Sequence, residues 1–450
     1  MIVVTLNDHF REEKQYALDM LFGQFLGLNY KIIIDVTVVE ITVRLNNDST
    51  IVFEDHFFSK FNEKDGYKNI QNFPVSIDKN IIQKFNLPFL SLYGPAEMYF
   101  NEKEIRISGD LVAATFFMLT RWEESVAEDR DIYNRFPAEA AIAVKFDFID
   151  RPIVNEYVEI IWSCLELLDI DQARLNRSFN TLLTHDVDLP RMWWDAKGFI
   201  RSIVGSILKR KSVKEAVILV KKYLNRKDPF NVFDWMLDLS DETGHISHFF
   251  FMSGGTSSKD NYYSIDHPFI SRLIKNIKRR GHRIGFHPSF NAYNDIIQFS
   301  KEKEALERIV QKPMVTGRHH FLRFENPTTW QIWEDCNMEW DSTMSYHDNV
   351  GFRCGVCYPF QVFNINTRKQ LKLLERPLIV MESSLAMYQD KGPEVMKNQI
   401  FSLIDIVKSY EGEFVFLWHN SAFNTIRWKP YEYIYKATLE YCASLRLPKK

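Results

Sequence analysis

The sequence predicts an α/β protein with a (β/α) barrel in its C-terminal two thirds and a separate α+β domain before it. Three observations predict this. Strand-like and helix-like segments alternate from about residue 151 to the end of the chain. Several of the strand-like segments end in an ionisable side chain, which is where a barrel places its chemistry. The 450 residues also exceed what one hydrophobic core usually fills, so two or three domains are expected.

Composition and charge narrow the class of protein. Apolar residues make up 46% of the chain and charged residues 26%, as in ordinary globular proteins. The net charge of -3 gives no reason to expect a nucleic-acid partner. The N-terminus lacks a basic leader, no apolar run is long enough to span a bilayer, and five cysteines do not suggest a secreted disulfide framework. We therefore expect a cytoplasmic protein.

Residues 1–150 are predicted to form the α+β domain. Residues 30–45 are rich in β-branched side chains, which favours strands, and the Asn-Asn-Asp that follows favours a turn. Apolar residues recur at helical spacing over 111–124. We find no catalytic pattern here and expect a domain that packs against, or shapes, a substrate cleft.

The barrel is predicted over residues 151–450. A helix over 154–168 leads to a strand at 181–188, and a second strand follows at 246–252. A helix from His267-Pro to Arg280 ends at Gly281, as helices with proline at the start and glycine after the end commonly do. The strand 282–286 comes next. Further helices at 297–310, 393–408 and 431–444 alternate with strands near Val315, Met338, Leu378 and Phe414.

The strand at 181–188 ends in two acids, Asp186 and Asp188, with one residue between them. Residues two apart in a strand share a face, so both carboxylates can point into one site. Like charges held that close repel each other, and a cation beside them relieves the repulsion. This pattern predicts a divalent metal and a catalytic base at the end of this strand.

Four later strand-like segments also deliver ionisable side chains as they end. A single such histidine is more often a structural residue, but a barrel brings all its strand ends to one mouth. The segments are Gly285-Phe-His-Pro-Ser-Phe-Asn291, Gly317-Arg-His-His-Phe-Leu-Arg323, Glu339-Trp-Asp-Ser-Thr343 and Phe416-Leu-Trp-His-Asn420.

Together with Thr184-His-Asp-Val-Asp188, these segments resemble, in the same order, the polysaccharide deacetylase superfamily (carbohydrate esterase family four-like, with a NodB-type homology domain). The resemblance covers roughly residues 178–425. It implies a distorted (β/α)7-type barrel and metal-dependent hydrolysis of an acetamide on a sugar. The metal it implies is divalent, with zinc first and cobalt, nickel or iron as alternatives.

The resemblance also implies roles for single residues. Asp186 would be the general base and Arg318 the cation paired with it. Asp341 would orient His419, which would act as the general acid. Asp188 and His287 would be metal ligands. Where the family has a further histidine this chain has Asn291, so the third ligand is either Asn291 or His320.

A basic segment near residues 195–230 interrupts the barrel pattern. Ten Lys or Arg and two acids lie between Lys197 and Asp228, and the apolar residues of 200–208 fall at helical spacing. Two interpretations stay open. The favoured one is a solvated helical insertion packed on the barrel; the other is peripheral contact with an anionic membrane surface, at the inner face of the membrane.

Cys354-Gly-Val-Cys357 has the spacing of half a zinc knuckle or of a redox pair. No second pair follows at suitable spacing, so we interpret both as structural thiols.

The predicted function is removal of an N-acetyl group from a sugar in a polysaccharide or its precursor, within surface-polysaccharide biosynthesis. Two alternatives remain: a non-catalytic carbohydrate-binding protein on the same barrel, which the departure at Asn291 favours, and a metal hydrolase of another acyl amide or ester.

Overall fold

The computed structural model describes residues 1–260 and 262–446, and the chain divides into two compact units. Unit 1 comprises Met1–Arg177, Phe324–Asp335 and Gly351–Pro377; unit 2 comprises Ser178–Arg323, Cys336–Val350 and Leu378–Lys450. The division therefore differs from the predicted boundary at residue 150. The helix that follows that boundary is held in unit 1, where the Tyr157 hydroxyl donates to the Leu90 carbonyl at 2.7 Å.

The elements of Met1–Arg177 are β1 (Ile2–Leu6), α1 (Arg11–Leu18), β2 (Tyr30–Ile34), β3 (Ile41–Arg44), β4 (Thr50–Phe53), β5 (Asp78–Ile82), β6 (Leu87–Ser91), β7 (Met98–Phe100), β8 (Glu104–Ile107), α2 (Leu111–Thr120), α3 (Trp122–Val126), α4 (Ile142–Lys145) and α5 (Ile153–Leu167). A mixed sheet of strand order β2-β1-β3-β4-β8-β7 forms the centre of unit 1. The helix predicted over 111–124 is present but breaks at Arg121, whose φ is 50°.

Helix α2 is buried on every face because its sequence is apolar all round. It lies within the core of unit 1. The two cysteines of the Cys-x-x-Cys motif are also buried, and burial raises the pKa of the Cys354 thiol well above its usual value. These properties fit the structural interpretation, because a reactive cysteine needs a lowered pKa and some exposure.

From Ser178 onward the elements are β9 (Asn180–Val187), α6 (Ala196–Leu208), α7 (Val213–Leu224), α8 (Phe233–Glu242), β10 (Ser247–Phe251), α9 (Pro268–Arg279), β11 (Arg283–Phe286), α10 (Ile296–Val310), β12 (Thr316–Gly317), α11 (Thr328–Asp335), β13 (Trp340–Asp341), β14 (Phe360–Asn364), β15 (Lys369–Glu375), β16 (Val380–Met381), α12 (Pro393–Ser409), β17 (Glu413–Leu417) and α13 (Glu432–Ser444). The helices and strands predicted between 246 and 444 all appear, with ends shifted by a few residues.

Seven strands of unit 2 pair side by side in the order β13-β12-β11-β10-β9-β17-β16, and all six pairings are parallel. This is the order that consecutive strands of a seven-stranded barrel would have. The pairing that would close the ring, between β13 and β16, is not present in the described part of the chain. The chain thus has an α/β fold, and the closed barrel stays a prediction.

Parallel pairing brings the carboxyl ends of these strands to one edge of the sheet. Backbone hydrogen bonds continue past several strand ends. The amide of His287 donates to the Phe251 carbonyl at 3.0 Å, the amide of Arg318 to the Phe286 carbonyl at 3.1 Å, and the amide of Trp418 to the Thr184 carbonyl at 3.2 Å. These bonds hold the segments that follow the strands, and those segments carry the predicted site residues. Among the described residues, no helix is both long and apolar enough to cross a membrane.

Candidate active site

Strand β9 delivers the two acids that the sequence singled out. All its side chains from Thr181 to Val187 are buried, which matches a strand covered on both faces. Asp186 is 3% exposed, and the side chain of Asp188, just past the strand, is 22% exposed. The first acid is enclosed, and the second reaches a surface that a ligand can approach.

Two histidines from neighbouring strand ends meet Asp188. His287 follows β11 and His320 follows β12, and their Nε2 atoms lie 3.1 Å and 3.7 Å from the same oxygen of Asp188. One ligand atom from each of these three residues lies within 4.8 Å of the others. The described part of unit 2 thus contains a carboxylate and two imidazoles arranged as a divalent metal site would require.

Hydrogen bonds orient both imidazoles toward this cluster. Nδ1 of His287 donates to the Arg318 carbonyl at 2.6 Å, and Nδ1 of His320 donates to the Asp260 carboxylate at 3.0 Å. With Nδ1 held in this way, the Nε2 atom of each ring is turned toward Asp188 and is the ring atom that can bind a metal. Such outer partners fix the tautomer of metal-binding histidines. The donor set therefore fits a first-row divalent metal.

Asn291 does not join this cluster. Its side chain is exposed, its amide oxygen accepts from Arg323 at 3.3 Å, and its amide nitrogen donates to Thr256 at 3.2 Å. Asn291 and His320 were the two candidates for the third metal ligand, and the structure brings His320 to Asp188. The two residues are 29 apart in sequence, and the turn after β12 decides between them.

Arg318 lies beside Asp186, as predicted. Its Nη1 donates to the Asp186 carboxylate at 3.0 Å and to Thr184 Oγ1 at 3.0 Å. Its Nε and Nη2 donate to the carbonyl and the hydroxyl of Ser342 at 2.7 Å and 2.9 Å. Arg318 is fully buried, so a fixed charge-assisted hydrogen bond holds one oxygen of Asp186.

The carboxylate that bonds His419 is Glu382, and this corrects the prediction for Asp341. Nδ1 of His419 lies 2.7 Å from Glu382 Oε1, while its Nε2 lies 3.6 Å from Asp188. Asp341 instead accepts from the Thr343 hydroxyl at 2.5 Å, and burial raises its pKa to about 7. Asp341 ends the short strand β13 and Glu382 follows the short strand β16, and only the folded sheet shows which of the two acids reaches His419.

The pKa values reflect this crowding of charges. Burial alone would raise the pKa of Asp188, but His320, His287 and His419 outweigh it and hold that pKa well below its usual value. Burial would lower the pKa of His419, but the charge and hydrogen bond of Glu382 and the charges of Asp188 and Asp186 raise it to about 10. Asp186 and Asp188 likewise raise the pKa of His287 against the effect of burial. The carboxylates of Asp186, Asp188 and Glu382 thus favour positive charge on the histidines or on a cation bound beside them.

Sequence reasoning missed two residues of this site, Glu382 and Asp260. Glu382 directly follows the strand predicted near Leu378, so the rule that picked out the other strand-end acids would have found it. Asp260 lies in the loop after β10, where it also accepts from the Phe290 amide at 2.9 Å. Nothing in that loop's spacing indicates a partner 60 residues away.

Three comparisons with known proteins add little to this geometry. The pattern of a family of unknown function (DUF7033) matches residues 2–169, less than half of the chain. None of the curated proteins matches. A crystal structure titled "putative polysaccharide deacetylase from Mycobacterium smegmatis" is similar at 14% identity and a TM-score of 0.38, over 59% of this chain and 85% of that chain. So distant a likeness does not define a function.

Proposed function

We propose that this protein is a metal-dependent hydrolase that removes an N-acetyl group from a sugar unit of a polysaccharide or its precursor. One observation carries the proposal. A cluster of Asp188, His287 and His320 suited to a divalent metal lies between a carboxylate held by an arginine and a histidine held by a glutamate. Metal, base and acid are the three parts that such a hydrolysis needs.

Asp188, His287 and His320 would hold the metal. One carboxylate and two imidazoles suit zinc and its first-row neighbours, and three protein ligands leave a coordination position for water or substrate. A divalent metal bound there would supply Lewis acidity to the acyl carbonyl and make water a better nucleophile at neutral pH.

Asp186 would act as the general base. The hydrogen bond from Arg318 fixes one carboxylate oxygen, so the other is available to accept a proton from water. Since Arg318 is itself bonded on both sides by Thr184 and Ser342, the carboxylate has little freedom to turn away. A base fixed in this way is already oriented before the reaction, so less of the activation barrier comes from orienting it.

His419 would act as the general acid. With its pKa raised to about 10, the ring is protonated at neutral pH and can give a proton to the leaving amine. Glu382 holds Nδ1 at 2.7 Å, and Nε2 lies 3.6 Å from an oxygen of Asp188, next to the proposed metal ligands; the His419 side chain is 17% exposed. Glu382 is a positioning residue here, because it acts through His419.

The sugar in this proposal comes from the motif resemblance, and the cluster itself would serve another acyl group equally well. Acetate release should therefore be measured from N-acetylated and O-acetylated sugars in parallel, with metal analysis of the same samples. Release from N-acetyl sugars alone supports the proposal, whereas release from O-acetyl sugars alone assigns the protein as an esterase.

Two substitutions on β9 separate the proposed roles. Asp186→Asn should keep the metal and lose about a hundredfold or more of activity, since a general base typically contributes that much. Asp188→Ala should lose both metal and activity. Asp266→Asn, at an exposed acid of the same unit, is the matched control. Full activity in both β9 variants would rule out this assignment.

Absence of bound metal from the wild-type protein, together with undiminished sugar binding, would favour the non-catalytic alternative. That alternative relied on Asn291. Because His320 takes the third position in the cluster, the departure at Asn291 no longer indicates a lost metal site.

A further inference from the structure

Two helices inserted between β9 and β10 turn apolar stripes toward solvent. We call residues 196–228 the basic hairpin; it contains α6 and α7. The exposed apolar residues of α6 are Ile200, Val204, Ile207 and Leu208, at 45–71% exposure, and those of α7 are Val213, Val217, Val220 and Leu224, at 38–76%. Spacings of three and four residues place each set on one face of its helix.

The inward side of α6 mixes aromatic and polar residues, because Phe199 packs against Trp193 and Tyr223 and two serines lie on the same side. Ser206 is buried and donates to the Ser202 carbonyl at 3.0 Å, and Ser202 accepts from the Trp193 indole at 2.8 Å. A helix that packs on a domain normally buries its apolar stripe and exposes its polar side. The aliphatic stripes of α6 and α7 stay exposed instead, so the favoured sequence interpretation of a helix packed on the domain does not account for them.

The basic hairpin is nonetheless an ordered element. The rings of Phe199 and Tyr223 stack at 3.8 Å between the two helices, and Trp193 packs edge-on against both. At its base, the Asp228 carboxylate accepts from the amides of Met192 and Trp193 at 2.9 Å and 3.1 Å. The apolar stripes are therefore presented on a fixed frame.

The charge of the basic hairpin indicates what covers the stripes. Lys197 to Asp228 contains ten Lys or Arg and two acids. Both acids are engaged within unit 2, Glu215 with Arg210 at 2.5 Å and Asp228 with Arg191 at 3.7 Å. Such a surface attracts an anionic partner. A second copy would bring the same positive charge to the contact and be repelled.

The cations flank the stripes. On α6, Lys197 and Arg201 lie beside Ile200 and Val204, and on α7, Lys214 and Lys221 lie beside Val213 and Val217 at helical spacing; all four cations are exposed. An apolar stripe bordered by Lys and Arg is the pattern of helices that lie in a membrane interface. Nucleic acid would match the charge but not the aliphatic stripes.

We propose that the basic hairpin binds the surface of an anionic lipid bilayer, with its apolar stripes among the acyl chains and its Lys and Arg at the lipid phosphates. A groove of about 530 Å³ next to the helices is lined by Trp194 and by Arg226 and Lys227 of the hairpin, and it widens the surface available to headgroups. Tryptophan favours that depth of the membrane. The inference is independent of the proposed enzymatic activity and needs no substrate to test.

The test is co-sedimentation of the full-length protein with phosphatidylcholine vesicles, with and without phosphatidylglycerol as one third of the lipid. We expect binding about tenfold or more stronger to the anionic vesicles, and weaker binding as salt is raised. Replacing Val204, Leu208, Val217 and Leu224 by Ser should reduce the partition coefficient at least about tenfold. Replacing Lys197, Arg201, Lys214 and Lys221 by Gln should remove the preference for anionic lipid.

The matched controls are Ile297→Ser and Lys301→Gln on α10, which are also exposed and should bind like wild type. Circular dichroism of every variant checks that the fold is retained. Failure of the wild-type protein to bind anionic vesicles overturns the proposal, as does equal loss in the α10 controls. An oligomer that the serine variant dissociates, without vesicle binding by wild type, would assign the stripes to a second copy and also overturn it.

Discussion

Asp186 and Asp188 are alike in sequence and differ in the site because of their neighbours. Arg318 donates to the first at 3.0 Å, while the imidazoles of His287 and His320 surround an oxygen of the second. The fixed arginine orients the first carboxylate as a general base requires, and two imidazole nitrogens beside the second carboxylate suit a shared metal. Neighbouring strands, rather than β9 itself, make the two acids different.

Glu382→Gln tests the source of the charge on His419. Without the negative charge of Glu382, burial should prevail and lower the pKa of His419 from about 10. An acid catalyst works only while protonated, so activity is lost as pH rises through that pKa. The alkaline limb of the pH–rate profile should move to lower pH by about one unit or more.

Asp341→Asn is the matched control for this measurement, because Asp341 bonds Thr343 rather than His419. It should leave the alkaline limb in place. An alkaline limb that stays put in Glu382→Gln, or moves only in Asp341→Asn, would return the orienting role to Asp341.

His320→Ala and Asn291→Ala test the third metal ligand. Because His320 points Nε2 at Asp188 and Asn291 is bonded to Arg323, metal affinity should fall by at least about tenfold in the first and stay near wild type in the second. Competition with a chelator followed by metal analysis measures both. A larger loss in Asn291→Ala would contradict the geometry described above.

At the scale of elements, β12 is two residues long and places Arg318 and His320 in the site. It can do so because Gly317 has no side chain: a Cβ there would lie 1.9 Å from the Phe286 carbonyl oxygen of β11. That is far inside van der Waals contact with backbone, which cannot rotate away. Glycine at 317 therefore permits the close approach of β11 and β12, on which the spacing of His287 and His320 depends.

Gly317→Ala should destabilise the protein by about 2 kcal/mol or more, because strands must shift to admit the methyl group. Urea unfolding of the full chain measures the change, with metal affinity as a second measurement. Gly392→Ala is the matched control, since nothing lies within 4 Å of a Cβ there, and it should change stability by less than about 1 kcal/mol. Equal effects of the two substitutions would show that β11 and β12 tolerate the added carbon.

At the scale of the whole molecule, every residue proposed for catalysis or metal binding belongs to unit 2. These residues span positions 186–419, so their arrangement forms only when distant strands pair. A ligand that bridges β9, β11 and β12 binds the folded state and not the unfolded chain, and should stabilise the former.

Zinc should therefore raise the midpoint of thermal unfolding. At a free concentration one hundred times Kd, the stabilisation expected by mass action is about 2.7 kcal/mol. Calorimetry of metal-free protein with added zinc measures it, and magnesium, which prefers oxygen ligands, should give a smaller shift. Asp188→Ala should show no shift with zinc. A shift that persists in Asp188→Ala would locate the metal elsewhere.

The sequence by itself did not predict α7 and α8, but it determined the α/β class, the strands and helices predicted between 246 and 444 to within a few residues, and most of the candidate site. It could do so because strand and helix periodicity is local, and because an ionisable residue at the end of an apolar run stands out from its neighbours. Asp186, Asp188, His287, Arg318 and His419 were all found by that rule.

Only the tertiary structure decided which of these residues meet. It selected His320 over Asn291 and Glu382 over Asp341, added Asp260, and moved α5 from the predicted barrel into unit 1. Each of these choices depends on hydrogen bonds and distances between strands far apart in the chain. Sequence spacing does not encode such distances, because they arise from the order in which the strands pair.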